Sequence, residues 1–188
     1  MSIELPHLQR GLAVVKCTCL TQLMTTSDDI IVPLSDIAFD IVGGLGIFLD
    51  YACARILIDG KPLVEMVRDY ETKMLVGDKE ADLAGLYWYL HPDSLIEYME
   101  GSGRGDHYRI AVLGCTCLDE DCWPLVCSIE KQENHMIWYD FLQPHRRHWD
   151  YSDFGHFGFE KQQLLTELTG LKSAMSDLTK ATRRKQQT

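Results

Sequence analysis

Apolar side chains predominate on both faces of one short run in the first half of the chain. This run, residues 47–58, reads IFLDYACARILI. Because successive side chains of a strand point to opposite faces, the pattern predicts a strand that is buried on both faces and central in its sheet. The residues that follow predict a turn and then a short helix that begins at Pro62.

Three strand-like runs with short polar connections follow in the second half. They are HYRIAVLGCTCL, CWPLVCSIEKQ and HMIWYDFLQ. Connections of this length suit antiparallel hairpins, so the sequence predicts a meander over about residues 108–142. A second short helix is predicted from Asp93 to Glu100, because Gly101 then supplies a stop signal.

The C-terminal part of the chain has the spacing of an amphipathic helix. Its apolar residues recur at intervals of 4, 3, 4 and 3, at Leu164, Leu168, Leu171, Met175 and Leu178. The stripe predicts a helix packed on the sheet, and the same stripe is an alternative surface for a homodimer. Residues 179–188 are polar and basic, and they predict a flexible tail.

These elements together predict an α+β fold. The expected sheet is antiparallel or mixed, with the C-terminal helix and one or two short helices. A chain of 188 residues is long enough for one sizeable core, so a single domain over residues 1–188 is expected. A further strand is predicted over residues 11–24, which contain several β-branched residues.

The charge is unevenly distributed along the chain. The formal net charge is -10; residues 1–100 carry 7 Lys and Arg against 16 Asp and Glu, whereas residues 101–188 carry 11 against 12. Binding to a nucleic-acid backbone depends on cationic side chains, so this balance disfavours nucleic acid as a partner. A basic protein is the expected partner, because it would complement the acidic first half.

The chain shows no recognisable export or membrane segment. It begins without a basic stretch followed by an apolar core, and its longest apolar region contains Asp50 and Arg55. We therefore expect a cytoplasmic protein. In that compartment its seven cysteines are expected to remain thiols or to bind metal.

Four cysteines fall within GCTCLDEDCWPLVC, residues 114–127, and three interpretations stay open. The preferred one is that they pack as small apolar residues between strands. A reactive thiol is disfavoured, because the acidic residues 119–121 would oppose a thiolate. The remaining interpretation is a tetrahedral zinc site with three cysteines and a histidine, drawn from Cys115, Cys117, Cys122, His145 and His148.

A second segment rich in side chains suited to binding or catalysis is PHRRHWDYSDFGHFGF, residues 144–159. Cationic and aromatic side chains are in local excess there, which suits the binding of a ligand or partner. The alternative is that the aromatic residues anchor a long loop to the core. The candidate binding surface consists of His145, Arg146, Arg147, His148, Trp149 and Tyr151.

The segments VLGCTCLDEDCWPL and IWYDFLQPHRRHWDYSDFGHFGFEKQQL also resemble a family of uncharacterised bacterial proteins. The resemblance covers about residues 46–168, and Leu118 departs from it because similar sequences have glycine there. It implies a bacterial or phage source, and because no activity is known for that family it implies nothing about activity. The matching positions are Gly114, Cys115, Cys117, Cys122, Trp123, Pro124, Leu125, Trp138, Phe141, Pro144, Trp149 and Tyr151.

The leading functional expectation is a small acidic binding protein of the immunity, antitoxin or inhibitor type, without a cofactor. Catalysis is disfavoured because the chain has no nucleophile elbow, zinc-protease helix or nucleotide loop. The alternative is a zinc-dependent enzyme or a zinc-stabilised module that uses the cysteine-rich segment.

Overall fold

The structure is a computed structural model that describes residues 23–25, 31–43, 52–101, 106–117 and 122–186. The strand predicted over residues 11–24 therefore lies almost entirely outside the described residues. The first described strands, β1 (Leu23–Thr25) and β2 (Ile31–Pro33), pair antiparallel in a two-stranded sheet.

A three-stranded antiparallel sheet follows, made of β3 (Ile37–Val42), β4 (Cys53–Ile58) and β5 (Lys61–Pro62). β4 lies in the middle, as predicted. Burial on both faces is confirmed for one face only: Ala54, Ile56 and Ile58 are buried, whereas on the other face Cys53 is buried but Arg55 and Leu57 are half-buried. Gly60 has a φ of +75°, a conformation that favours glycine and allows the tight turn between β4 and β5.

The second large sheet has five strands in the order β10-β9-β8-β7-β6. They are β6 (Tyr87–Trp88), β7 (His107–Cys115), β8 (Leu125–Lys131), β9 (His135–Leu142) and β10 (Phe157–Glu160). β7, β8 and β9 confirm the predicted meander. β10 was not predicted, because its four residues include a glycine and lie within a segment interpreted as a loop.

Single bridges connect the three sheets at their edges. The amide of Ala54 in β4 donates to the carbonyl of Leu90, just after β6, at 2.8 Å. At the other end, the amide of Ser35 donates to the carbonyl of Gly158 in β10 at 2.7 Å. The three-stranded and five-stranded sheets share one apolar core, whereas Val32 of β2 packs with Ile137 in a separate small cluster.

Three α-helices complete the described part of the chain: α1 (Leu63–Met74), α2 (Pro92–Glu100) and α3 (Lys161–Gln186). The α+β fold with a C-terminal helix is therefore confirmed. α2 ends as predicted, with Gly101 at a φ of +50°. None of the described helices has both the length and the apolar character needed to cross a membrane.

α3 covers most of the segment for which the sequence predicts a flexible tail, residues 179–188. The helix continues through Gln186. Thr182 is buried and its hydroxyl donates to the carbonyl of Leu178, so the final turns retain contacts that a purely basic tail would lack. The first three leucines of the stripe, Leu164, Leu168 and Leu171, are buried within the chain.

Candidate metal site at the cysteine turn

Three cysteine side chains converge where β7 ends. Cys115 is the last residue of β7 and pairs with Tyr87, Cys117 follows in a turn, and Cys122 lies shortly before β8 begins at Leu125. The three Sγ atoms all lie within 4.8 Å of one another. We refer to Cys115, Cys117 and Cys122 as the thiol cluster.

The exposure of the cysteines separates them into two groups. Cys53 and Cys127 are buried, whereas Cys115 is half-buried and Cys117 and Cys122 are exposed. The prediction that cysteines pack as core residues is therefore confirmed for Cys127 and wrong for Cys117 and Cys122. The reason is that β7 ends at Cys115, so the chain leaves the sheet before Cys117 can occupy a core position.

The thiol groups of the cluster interact directly with one another. The amide of Cys117 donates to Sγ of Cys115 at 3.4 Å. Partial burial opposes ionisation of Cys115, but hydrogen bonds from Cys117, Cys122 and Thr116 outweigh burial and lower its pKa. Hydrogen bonds to Cys115 and Cys117, with a smaller effect of burial, raise the pKa of Cys122 to about 12. The hydrogen bonds within the cluster therefore favour ionisation of Cys115 over ionisation of Cys122.

A soft cation would change that balance. Thiolate sulfur is a ligand for Zn²⁺, with Zn–S distances of about 2.3 Å, and a divalent charge offsets the repulsion among several thiolates. Three sulfurs on one side of the ion leave its fourth position open to water or another ligand. The geometry of the thiol cluster therefore suits a zinc ion better than it suits three independent thiols.

Neither of the two histidines predicted as ligands belongs to the cluster. Among the described residues, the group with ligand atoms within 4.8 Å of one another consists of the three cysteines alone. The ring of His145 stacks on Trp123, with centroids 6.4 Å apart, and Nε2 of His148 lies 3.0 Å from Oε2 of Glu80. Aromatic stacking and the polar contact with Glu80 hold the two rings in other places.

The candidate binding surface is organised around Glu80, a residue that the sequence analysis did not identify. Nε1 of Trp149 donates to Oε2 of Glu80 at 2.9 Å, and Nε of Arg146 lies 3.4 Å from Oε1. The hydrogen bond from Trp149 and those from His148 lower the pKa of the Glu80 carboxyl, despite an opposing effect of burial. Part of the positive charge predicted for ligand binding is thus neutralised within the protein.

The arginines and Trp149 of the predicted surface differ in their contacts and their exposure. The guanidinium of Arg146 lies over the ring of Trp123, 4.9 Å from its centroid, while Arg147 is exposed. Trp149 is buried, as the loop-anchoring alternative requires. Because Trp123 follows Cys122 directly, these contacts place the 145–149 segment beside the thiol cluster without adding a ligand to it.

Tyr151 lies in a different cluster, around the buried carboxylate of Glu71. Its hydroxyl and that of Tyr87 donate to Oε1 of Glu71, and the amide of Gly85 donates to Oε2 at 2.6 Å. Burial raises the pKa of Glu71 although these hydrogen bonds oppose the shift, and burial also raises the pKa of both tyrosines. We refer to Glu71, Gly85, Tyr87 and Tyr151 as the carboxyl cluster.

One signal in the sequence would have identified Glu71. It lies four residues after Val67 and eight after Leu63, so it falls on the buried face of α1. A carboxylate on such a face requires buried hydrogen-bond donors. Glu80 has no comparable signal, since it lies in a polar loop.

Comparisons with family models, curated proteins and solved structures found no match to this chain. The resemblance to bacterial sequences therefore stays a prediction, and function has to be argued from the clusters described above.

Proposed function

We propose that this protein is a zinc-binding module in which Cys115, Cys117 and Cys122 hold the ion. The observation that carries the proposal is the convergence of three Sγ atoms within 4.8 Å at a surface turn. Exposed thiols gain little from hydrophobic packing, so burial does not account for their proximity. A shared cation does account for it.

A stabilising role is favoured over catalysis. A catalytic zinc site needs an acid or base beside its open position. The described candidates have other partners: Glu71 accepts hydrogen bonds from two tyrosines, and His148 pairs with Glu80. Zinc would instead join the end of β7 to the residues that lead into β8. The pairing of the two strands stops before these segments, at Leu113 and Leu125.

The test is metal analysis of protein purified without added metal. Stoichiometric zinc is expected in the natural chain and should be lost in Cys117→Ala, since removal of one of three thiolates leaves too few ligands. Arg147→Ala is the control, because it changes an exposed residue and leaves all three sulfurs and the hydrogen bond from Thr116 in place. A folded preparation that contains no zinc and takes up none on titration would exclude the proposal.

A second candidate function is the binding of a basic protein partner in the cytoplasm, as an immunity, antitoxin or inhibitor protein would do. The exposed charges within residues 31–43 and 52–101 support it, because acidic side chains outnumber basic ones by nine to four. The acidic ones are Asp36, Asp59, Glu65, Asp69, Asp78, Asp82, Asp93, Glu97 and Glu100, and the basic ones are Lys61, Arg68, Lys73 and Lys79.

Electrostatic steering makes that candidate measurable. Association of a basic partner with this surface should slow as ionic strength rises, because salt screens charges separated by more than about 10 Å at 0.1 M. An association rate that is indifferent to salt would argue against a role for the acidic surface. The two candidate functions are compatible, since the thiol cluster lies outside the acidic half of the chain.

A further inference from the structure

We propose that the thiol cluster is also a site of reversible covalent modification: a disulfide oxidant converts Cys115 and Cys122 into an intramolecular disulfide and releases the bound metal. This inference deepens the proposed zinc function and rests on it for the release step. Formation of the disulfide itself depends only on the positions of the sulfurs.

The distance between the sulfurs favours a disulfide. Pairing between β7 and β8 ends at Leu113 and Leu125. Beyond that pair, Sγ of Cys115 and Sγ of Cys122 lie within 4.8 Å of each other. An S–S bond is about 2 Å long, so a small movement of the side chains is enough to join these two sulfurs.

The backbone determines the choice of partner within the cluster. Cys115 and Cys117 are separated by one residue, so a bond between them would close a very small ring and distort the disulfide dihedral. Cys115 is held at the end of β7 by its pairing with Tyr87, whereas Cys117 lies in the turn that follows. We therefore assign the disulfide to Cys122 and the sulfur whose position the sheet fixes, and a Cys117–Cys122 bond would contradict this assignment.

The cysteines also differ in how accessible their sulfurs are to a dissolved oxidant. Cys117 and Cys122 are exposed, whereas Cys53 and Cys127 are buried. Exchange with a dissolved disulfide requires contact between the attacking sulfur and the oxidant. The chain thus contains its own internal controls, since the buried pair should not react while the protein is folded.

The reaction balances as two successive exchanges with an oxidant R–S–S–R. The thiolate of Cys122, which is exposed, attacks one sulfur, forms a Cys122–S–S–R bond and expels R–S⁻. The thiolate of Cys115 then attacks the sulfur of Cys122, forms the Cys115–Cys122 bond and expels a second R–S⁻. The protein loses two electrons to the oxidant, two of the three ligands lose their charge, and Zn²⁺ departs with Cys117 left as a thiolate.

The experiment uses the full-length, zinc-loaded protein with oxidised glutathione as the oxidant and a chromophoric chelator to report free zinc. Release of stoichiometric zinc is expected together with the loss of two hydrogen masses per chain. Adding dithiothreitol and zinc should restore both.

Mapping the bond identifies the pair. Remaining thiols are alkylated, and the chain is then cleaved before Asp119 and Asp121, which separates Cys115 and Cys117 from Cys122 and Cys127. A disulfide-linked pair of fragments with Cys117 and Cys127 alkylated supports the proposal. A bond within the first fragment, or one that includes Cys127, contradicts it.

Variants separate this inference from the zinc proposal. Cys117→Ala should still form the disulfide, whereas Cys115→Ala and Cys122→Ala should not; disulfide formation in Cys122→Ala would overturn the assignment. Zinc content is measured before oxidation. Protein without zinc that still forms the Cys115–Cys122 bond refutes only the metal proposal, and zinc-loaded protein that keeps its zinc and its thiols in oxidised glutathione refutes only the redox proposal.

Discussion

The thiol cluster and the carboxyl cluster are both groups of ionisable side chains, but they differ in how their polar atoms are satisfied. In the carboxyl cluster, both oxygens of Glu71 accept hydrogen bonds from groups of the same chain, and the carboxylate has no exposed surface. In the thiol cluster, two of the three sulfurs are exposed, and the described hydrogen bonds run among the cysteines and from Thr116 to Cys115.

This difference indicates which cluster is structural and which one needs a ligand. A buried group with all its partners stabilises the fold and has no free coordination capacity. A group of like-charged soft donors at the surface gains most from an external cation. We therefore interpret the carboxyl cluster as a link between α1, β6 and the loop before β10, and the thiol cluster as the place where the protein binds an ion.

Removal of zinc should produce the largest effect. With free zinc buffered at about 1,000 times its dissociation constant, binding adds about 4 kcal/mol to the free energy of unfolding. A strong chelator should therefore lower Tm by roughly 10 °C in a chain of this size. Thermal unfolding followed by circular dichroism, with and without the chelator, measures the difference.

The chelator experiment has a direct control in Cys117→Ala, which should melt at one temperature under both conditions. The apoprotein should stay folded at 25 °C, because the large core around Trp138 and Phe159 contains none of the zinc ligands. Equal Tm values for the natural chain with and without chelator would mean that the thiol cluster, like the carboxyl cluster, does not depend on a bound ion.

Gly85→Ala should produce the next largest effect, on the carboxyl cluster. Gly85 has a φ of +67°, and an added Cβ would lie 2.5 Å from Cγ of Arg68. Left-handed strain and overpacking together are expected to cost about 3 kcal/mol. Gly60→Ala is the matched control, since its φ of +75° is similar but nothing lies within 4 Å, so about 1 kcal/mol is expected. Urea unfolding of both variants provides the comparison; equal losses would mean that the contact with Arg68 is not tight.

The two clusters also differ in how far they could be predicted from sequence. The thiol cluster is formed by residues close together in the sequence: Cys115 is the last residue of β7, and Cys122 lies three residues before β8 begins at Leu125. Strand periodicity and turn signals describe such local geometry well, which is why the meander and α2 were also predicted correctly.

The carboxyl cluster and the contacts of Glu80 depend on long-range packing. Tyr151 and Glu71 are 80 residues apart, and Trp149 and Glu80 are 69 apart. Periodicity indicates which face of an element is buried, but it does not specify which distant donor meets which acceptor. For the same reason, the histidines assigned to zinc from composition were found with other partners.

Replacing Glu71 should change the pH dependence of stability. Because burial raises the pKa of this carboxyl in the folded state, the folded protein binds the proton more tightly than the unfolded chain. Its contribution to stability is full below the unfolded pKa, near pH 4, and is lost as pH rises through the folded pKa. Glu71→Gln lacks this titration, so its free energy of unfolding should increase relative to that of the natural chain as the pH rises above about 4.

Urea unfolding at a series of pH values measures that gain. At the acidic end, where a neutral amide replaces a neutral acid, the two proteins should differ by about 1 kcal/mol or less. Glu65→Gln on the exposed side of α1 is the control and should follow the natural chain. Parallel curves for Glu71→Gln and the natural chain would show that the buried carboxyl does not titrate in this range.

The smallest effect is expected at the boundary between the two clusters, in Arg146→Ala. The guanidinium lies 4.9 Å from the centroid of Trp123 and 3.4 Å from a carboxylate oxygen of Glu80, so it joins the residue after Cys122 to the loop that follows α1. Loss of the cation–π contact should cost about 1 kcal/mol, while Arg147→Ala, at an exposed neighbour, should stay within about 0.5 kcal/mol of the natural chain. Zinc affinity should be unchanged in both variants, since neither arginine contacts a sulfur. A fall in zinc affinity in Arg146→Ala alone would mean that the two clusters are coupled through Trp123.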